Sequence, residues 1–353
     1  HVGQRARSLL DDARDRVAAT LKCKPSEIIF TSGGSESTNL ALHGMARQLR
    51  DKGRHIITSA VEHHAVLQPC VYLANNEGFD VTYLPVDSAG RVAVESVREA
   101  LRPDTVLVSI MAANNEVGTL QPVAEIGELC ADKGVVFHTD AVQCFGKLPL
   151  GGIGDFNADL VSLCAHKFHG PNGAGLLYAN SPLMPDPIVH GAPHENDRRA
   201  GTENLPGIFG LSEAIVRFLP NPVFPMETLA PLAGKLIEMV EATDGATFLG
   251  TRDSANRLSN TVAFTVVGTD SIALLSGLDM EGLCASAGSA CSSGSVTPSH
   301  VALAMGSPAA VANALVRLSL GRETTGAEIA AACEIIPRVI KRCRSANKMG
   351  ITR

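Results

Sequence analysis

Ile28-Ile29-Phe30-Thr31-Ser32-Gly33-Gly34-Ser35-Glu36-Ser37 passes from one structural period to another within a few residues. Ile28 to Thr31 is apolar and mostly β-branched, the pattern of a strand. Gly33, Gly34 and Ser35 break that pattern, and over Ser35 to Arg50 the apolar residues Leu40, Met45 and Leu49 recur at roughly helical spacing. A strand that turns through glycine and serine into a helix is the building unit of an α/β fold.

The same strand signal returns at His55-Ile56-Ile57-Thr58, Val81 to Leu84, Thr105 to Met111, Val135 to Thr139, Leu160 to Leu163 and Gly175 to Tyr178. Helical patterns such as Val123 to Lys133 lie between several of these runs. The alternation predicts a mostly parallel, seven-stranded-type sheet with helices on both faces. Near Pro220-Asn221-Pro222 and Pro225 the pattern breaks, which places a large domain over 1–221 and a smaller α+β domain over 222–353. The smaller domain is expected to hold a helix over Leu229 to Ala242, a strand over Asn260 to Val267, a helix over Asp270 to Leu278, a small-residue loop and two further helices.

Composition narrows the function classes. The chain has 353 residues, 45% hydrophobic and 19% charged, with a net charge of -6 and no block of Lys or Arg. Nucleic acid and anionic membrane are therefore excluded as main partners. No apolar run approaches the roughly 18 residues of a membrane span, and no signal peptide is visible, so the expected location is the cytoplasm. That expectation does not cover a targeting segment preceding His1. The nine cysteines are odd in number, scattered, and never spaced C-x-x-C, which predicts free thiols in a reducing compartment.

Open parallel sheets bind ligands beyond the C-terminal ends of their strands. Those ends hold Gly34 and Ser35 in a turn that opens a helix, a place where backbone N–H groups and the helix dipole suit a phosphate, although an ordinary capped turn looks the same. Next come Glu62-His63-His64, where a histidine could stack on a flat ring or move protons, or be purely structural. Asn114-Asn115-Glu116 follows an apolar strand and could simply turn the chain. His138-Thr139-Asp140-Ala141-Val142-Gln143 ends a strand in a carboxylate, which is costly to bury unless it meets a cation. Ser162 to Pro171 places Lys167 where a strand leaves the core, and a lysine in a dry pocket can form a Schiff base. A phosphate cradle, a ring stacker, an acid and an amine are together what pyridoxal 5'-phosphate requires.

Over His1 to about Leu320 the sequence resembles the class V, fold-type I pyridoxal-phosphate enzymes, and among them the cysteine desulfurases that serve iron–sulphur cluster assembly. The resemblance rests on Phe30 to Asn39, Glu62-His63, Asn114 to Gly118, Asp140 to Gln143, His166 to Pro171, Arg199-Ala200-Gly201-Thr202-Glu203-Asn204, Gly288 to Cys291 and Arg317 to Arg322. It implies that Lys167 holds the cofactor, Asp140 pairs with its ring nitrogen and His63 stacks on the ring. It further implies that Gln143 and Asn115 reach the ring oxygen, with Asn115 also near the substrate. Gly34, Ser35 and His166 hold the phosphate, joined by Thr202 from the partner in a homodimer. Arg317 is then the clamp for the substrate carboxylate, a task suited to its planar two-pronged donor. Two departures stand out. Cys164 occupies a phosphate-contacting position where the family has serine, and a thiol is the poorer donor; the family's N-terminal strand and loop have no counterpart ahead of His1.

Cys291 lies among Gly288, Ser289, Ala290, Ser292, Ser293 and Gly294, residues that do not build a core. Cys284, after an apolar stretch, is expected to be packed. The resemblance makes Cys291 the nucleophile that takes sulphur from L-cysteine as a persulfide, leaving alanine, and passes it to an acceptor such as an iron–sulphur scaffold protein. A selenocysteine lyase on the same fold, a class V aminotransferase, and a scaffold without chemistry are the competing readings. An aminotransferase has no use for Cys291, and a scaffold none for Lys167, Asp140 and His63. A metal site of His63, His64 and a cysteine lacks any ligand spacing to support it.

Overall fold

The computed structural model describes residues 1–288 and 297–348. Cys291 lies outside the described residues. The chain divides into two compact units: His1–Pro85, Val92–Ala113 and Gln121–Val223 form the first, and Val86–Arg91, Asn114–Leu120 and Phe224–Arg353 the second. Asn115 therefore groups with the second unit.

In chain order the first unit contains α1 (Val2–Leu21), β1 (Ile28–Thr31), α2 (Gly34–Leu49), β2 (His55–Ser59), α3 (His64–Glu77) and β3 (Asp80–Leu84). Then follow α4 (Val94–Ala100), β4 (Thr105–Ser109), α5 (Val123–Lys133), β5 (Val136–Asp140), β6 (Leu160–Cys164), β7 (Gly175–Ala179) and α6 (Leu205–Phe218). The strands form one seven-stranded sheet in the order β1-β7-β6-β5-β4-β2-β3. Strands β3, β2, β4, β5 and β6 run parallel, while β7 is antiparallel to both β6 and β1. Two reversals cancel, so β1 points the same way as β6. Every residue of β2, β4 and β6 is buried, as expected of central strands covered on both faces. Leu40, Met45 and Leu49, the periodic residues of α2, all sit in the core with Ile29, Ile56, Leu107 and Leu177.

The second unit holds α7 (Met226–Ala242), β8 (Ala246–Leu249), β9 (Thr261–Val266), α8 (Ser271–Asp279), α9 (His300–Ala304), α10 (Ala309–Ala312), β10 (Leu315–Ser319) and α11 (Gly326–Lys348). Its sheet is antiparallel, in the order β10-β9-β8. Two of these strands were not foreseen. β8 is short and only its Leu249 is buried, so no run of apolar residues marks it. In β10, Val316 and Leu318 join the core of this unit while Arg317 between them does not. Among the described residues no helix is long and apolar enough to cross a membrane.

The cysteines among the described residues are free, and Cys70, Cys130, Cys144 and Cys164 are buried. Cys284 is exposed, against expectation. Leu283 and Ala285 pack on the core of the second unit and Ser286 pairs with Arg317, so the residue between the two inward neighbours faces out.

Candidate active site

Because β1, β2, β4, β5 and β6 all point one way, their C-terminal ends share one edge of the sheet. Topology thus brings together Gly34 and Ser35 after β1, His63 after β2, Asp140 at the end of β5, and His166 and Lys167 after β6. These positions are far apart in sequence.

Asp140 is 6% exposed, and its Oδ1 accepts the Val142 N–H at 3.0 Å. Burial pushes its carboxyl up to about 6, while the Val142 hydrogen bond and the nearby Lys167 charge pull the other way. Lys167 is half-buried in a 3-10 turn over Ala165–Phe168 whose Phe168 is fully packed.

His63 is half-buried and caps α3, its Nδ1 accepting the Ala65 N–H at 3.1 Å. That bond fixes the tautomer: a neutral ring carries its proton on Nε2. Glu62, just before it, is wholly buried, with Oε1 accepting from Ser59 Oγ at 2.7 Å and the two oxygens sharing the Met111 N–H at 3.0 and 3.1 Å. Burial pushes the Glu62 carboxyl up to about 8 against the lowering effect of those hydrogen bonds, and the Asp140 charge adds to the rise.

The first turn of α2 is built for close approach. A Cβ at Gly34 would come within 2.7 Å of Val142 Cγ2 and 3.8 Å of the Cys164 Cβ, so glycine lets the helix start seat against β6 and the Asp140 turn. Gly33, the N-cap, makes no side-chain cap bond, and the acidic residue of the first turn is Glu36. Arg199 neutralises Glu36 with two hydrogen bonds, at 2.7 and 3.2 Å. The same loop carries Thr202, which is exposed, as are Ser35 and His166. Cys164 is 1% exposed, and its sulphur lies 4.0 Å from His166 Nε2. Burial pushes its thiol up to about 11, so it stays protonated.

Gln143 is half-buried, and its Oε1 accepts from Lys147, a lysine only 7% exposed. The bond uses the amide's acceptor and keeps its NH2 group as the donor a ring oxygen requires. Lys147, Glu62 and the Arg199–Glu36 pair carried no assigned role in the sequence reading. Nor did His138, which is fully buried between Ser109 Oγ at 2.8 Å and Ser162 Oγ at 2.9 Å. Burial pushes its ring down to about 3, so it is neutral. A histidine inside a run read as a strand, between Phe137 and Thr139, was the available signal in its case.

In the second unit, Arg317 is half-buried on β10. Its Nη1 donates to the Asn115 carbonyl at 2.8 Å and to the Gly288 carbonyl at 3.1 Å. Arg317 and Asn115 are thus neighbours within the second unit.

The family model for class-V aminotransferases matches residues 1–331. The chain is 45% identical over 338 residues to the cysteine desulfurase IscS of Clostridium botulinum, covering 96% of this chain and 85% of that one. The chain belongs to the class-V aminotransferase family, in its cysteine desulfurase branch. Among solved structures, a NifS-like protein superposes with a TM-score of 0.87 at 34% identity, covering 97% of this chain and 90% of its own. The structure of SspA in complex with cysteine matches with a TM-score of 0.76 at 36% identity, covering 92% and 90%. The cofactor of this class-V enzyme is pyridoxal phosphate.

The residues present fit that group. A buried Asp140 whose carboxyl burial drives upward gains from a further cation, and a protonated pyridine nitrogen is one. The glycine cradle at Gly34 and the uncapped start of a long helix suit a phosphate, and Lys167 supplies the amine.

Proposed function

We propose that this chain removes sulphur from L-cysteine, releasing L-alanine and retaining the sulphur as a persulfide on Cys291. The observation that supports it most is the convergence of Asp140, Lys167, His63 and the Gly34–Ser35 helix start at one sheet edge.

When bound, pyridoxal phosphate acts as an electron sink that acidifies the amino acid's Cα–H and weakens its bond to the side-chain sulphur. Lys167 anchors the cofactor and, once displaced by the substrate amine, takes the Cα proton on Nζ. Asp140 holds the ring nitrogen protonated, while Gln143 and Asn115 donate toward the ring oxygen. Gly34, Ser35 and His166 bind the phosphate, joined by Thr202 of a second copy in a homodimer. Arg317 grips the substrate carboxylate in two-pronged fashion. The Cys291 thiolate attacks the substrate sulphur. An S–S bond forms as the C–S bond breaks, the C–S electron pair stays with the substrate carbon, and that carbon takes a proton. His63, whose Nδ1 accepts the Ala65 N–H and which therefore carries its proton on Nε2, delivers that proton. The persulfide then passes to an acceptor such as an iron–sulphur scaffold protein in the reducing cytoplasm.

The test is the absorption spectrum of the purified protein before and after L-cysteine, with alanine assayed together with sulphide, which an added dithiol reductant releases from the persulfide. A band near the roughly 410–430 nm of a lysine-bound cofactor, shifting on cysteine as alanine appears, is expected. Cys291→Ala is expected to keep the band and lose sulphide release; retained turnover sinks the assignment of Cys291. L-Selenocysteine in the same assay tests the lyase alternative: a strong preference for it overturns the sulphur assignment.

A further inference from the structure

The turn that follows β5 carries Asp140, Gln143 and Lys147, of which only the first two have a part in the proposed reaction. Lys147 is 7% exposed, and an ammonium is costly to bury without polar company. Its backbone is closely held. The Cys144 carbonyl accepts the N–H groups of Lys147 at 3.1 Å and Leu148 at 3.0 Å, and the Cys144 N–H donates to the Ala141 carbonyl at 2.9 Å. Phe145 is 1% exposed, with its ring centroid 6.1 Å from that of Phe168. Gly146 has a φ of 69°, which disfavours any side chain, and a Cβ there would stand 2.5 Å from the Phe168 Cβ. The turn is thus seated on the Ala165–Phe168 turn that carries Lys167.

Inside this turn Gln143 and Lys147 meet, with Lys147 Nζ donating to Gln143 Oε1. The two ends of a glutamine amide are nearly equal in size, so packing alone does not decide which of them faces a ligand. A lysine ammonium has donors and no acceptor, so the end that faces it is the oxygen.

We propose that Lys147 is a positioning residue for the cofactor: it holds the Gln143 amide in the one orientation that turns the NH2 group toward the cofactor's ring oxygen. This rests on the reading of Gln143 as a donor to that oxygen. Lys147 touches neither cofactor nor substrate in this scheme. Without it the amide can turn over and set its own oxygen against the ring oxygen, two acceptors face to face. The cofactor spectrum reports the difference. A hydrogen bond to the ring oxygen draws off negative charge that otherwise helps to hold the proton on the nitrogen joining Lys167 to the cofactor. Once that bond is lost, the nitrogen keeps its proton to higher pH.

The experiment loads wild type, Lys147→Met, Gln143→Met and the Lys147→Met/Gln143→Met double variant with pyridoxal phosphate. The quantity read, with no substrate present, is the pH midpoint at which the band at roughly 410–430 nm gives way to one at shorter wavelength. Asp140, Glu62, His63 and His166, the other titratable groups at this sheet edge, are the same in every variant. Lys147→Met and Gln143→Met are each expected to raise the midpoint by about one pH unit, a tenfold change in proton affinity. The double variant is expected to match Gln143→Met, because Lys147 acts through that amide alone. A charge acting on the cofactor through space would add its effect in the double variant instead. Lys147→Gln, whose own amide can offer either end to Gln143, is expected between wild type and Gln143→Met, and decides the matter where Lys147→Met does not fold. A wild-type midpoint in Lys147→Met or Lys147→Gln, or additive shifts in the double variant, would each overturn the proposal. If Gln143→Met itself keeps the wild-type midpoint, the reading of Gln143 fails. If Gln143→Met is shifted and Lys147→Met is not, only the positioning role fails.

Discussion

Arg199 closes on Glu36 in a two-pronged ion pair, Nε to Oε1 at 2.7 Å and Nη2 to Oε2 at 3.2 Å. Glu36 also accepts the Ser32 N–H at 2.8 Å, so the pair binds the Thr202 loop to both sides of the α2 start. These hydrogen bonds and the Arg199 charge outweigh burial and hold the Glu36 carboxyl below its usual range. The pair also cancels a negative charge at the helix end assigned to phosphate.

Removing Arg199 leaves Glu36 charged beside the phosphate cradle. Arg199→Ala is expected to weaken cofactor binding by roughly tenfold, in keeping with charged hydrogen bonds of about 1.5–3 kcal/mol discounted for partial exposure. Arg199→Lys should recover only part of that, since an ammonium cannot reproduce the fork. Titration of cofactor-free protein with pyridoxal phosphate, followed by absorbance, measures both. Equal affinities in all three proteins would refute the role.

Gly34→Ala should lower cofactor affinity for a steric reason. The new methyl would stand 2.7 Å from Val142 Cγ2 and force the helix start away from the Asp140 turn. Trimming the obstacle in Gly34→Ala/Val142→Ala is expected to restore binding toward the wild-type value. A double variant no better than the single one would show that the cradle depends on something other than space.

Asp140→Asn separates two effects of one carboxylate. In the loaded enzyme it is expected to keep the cofactor but slow turnover by on the order of a hundredfold, through loss of charge at the ring nitrogen. In the cofactor-free protein the sign reverses. Burial raises the Asp140 pKa from 3.8 to about 6, so the stability it contributes is complete below 3.8 and is lost as pH rises through about 6. Cofactor-free Asp140→Asn should therefore melt higher than cofactor-free wild type above that pH. A lower melting temperature there would contradict the buried-charge account.

His138 shows the opposite dependence. Its pKa falls from 6.5 to about 3 through burial, so its contribution is complete above 6.5 and drains away as pH drops toward 3. The total at stake is on the order of several kcal/mol. His138→Gln can still bridge Ser109 and Ser162 but cannot take up a proton. Its melting temperature should fall less steeply below 6.5 than that of wild type, and parallel pH profiles would rule this out.

Much of this protein was legible without coordinates because its determinants are local. Alternating β-branched and helical periods specify strands and helices, and the parallel ends of an α/β sheet are where ligands bind. Gly34, His63, Asp140 and Lys167 could therefore be named from sequence and stand together at one sheet edge. The second unit was harder to read. β10 holds Arg317 between two core residues, and β8 has a single buried residue, so neither presents a clean pattern.

What only the tertiary structure decided is which polar residues far apart in sequence meet. Arg199 and Glu36 are 163 residues apart, Ser299 and Glu116 183 apart, and Arg317 and Asn115 202 apart. No period or motif relates such pairs, because their encounter depends on how whole elements pack. Burial raises the cost of each unmet polar group, and the fold meets that cost with partners that the linear order of residues does not reveal.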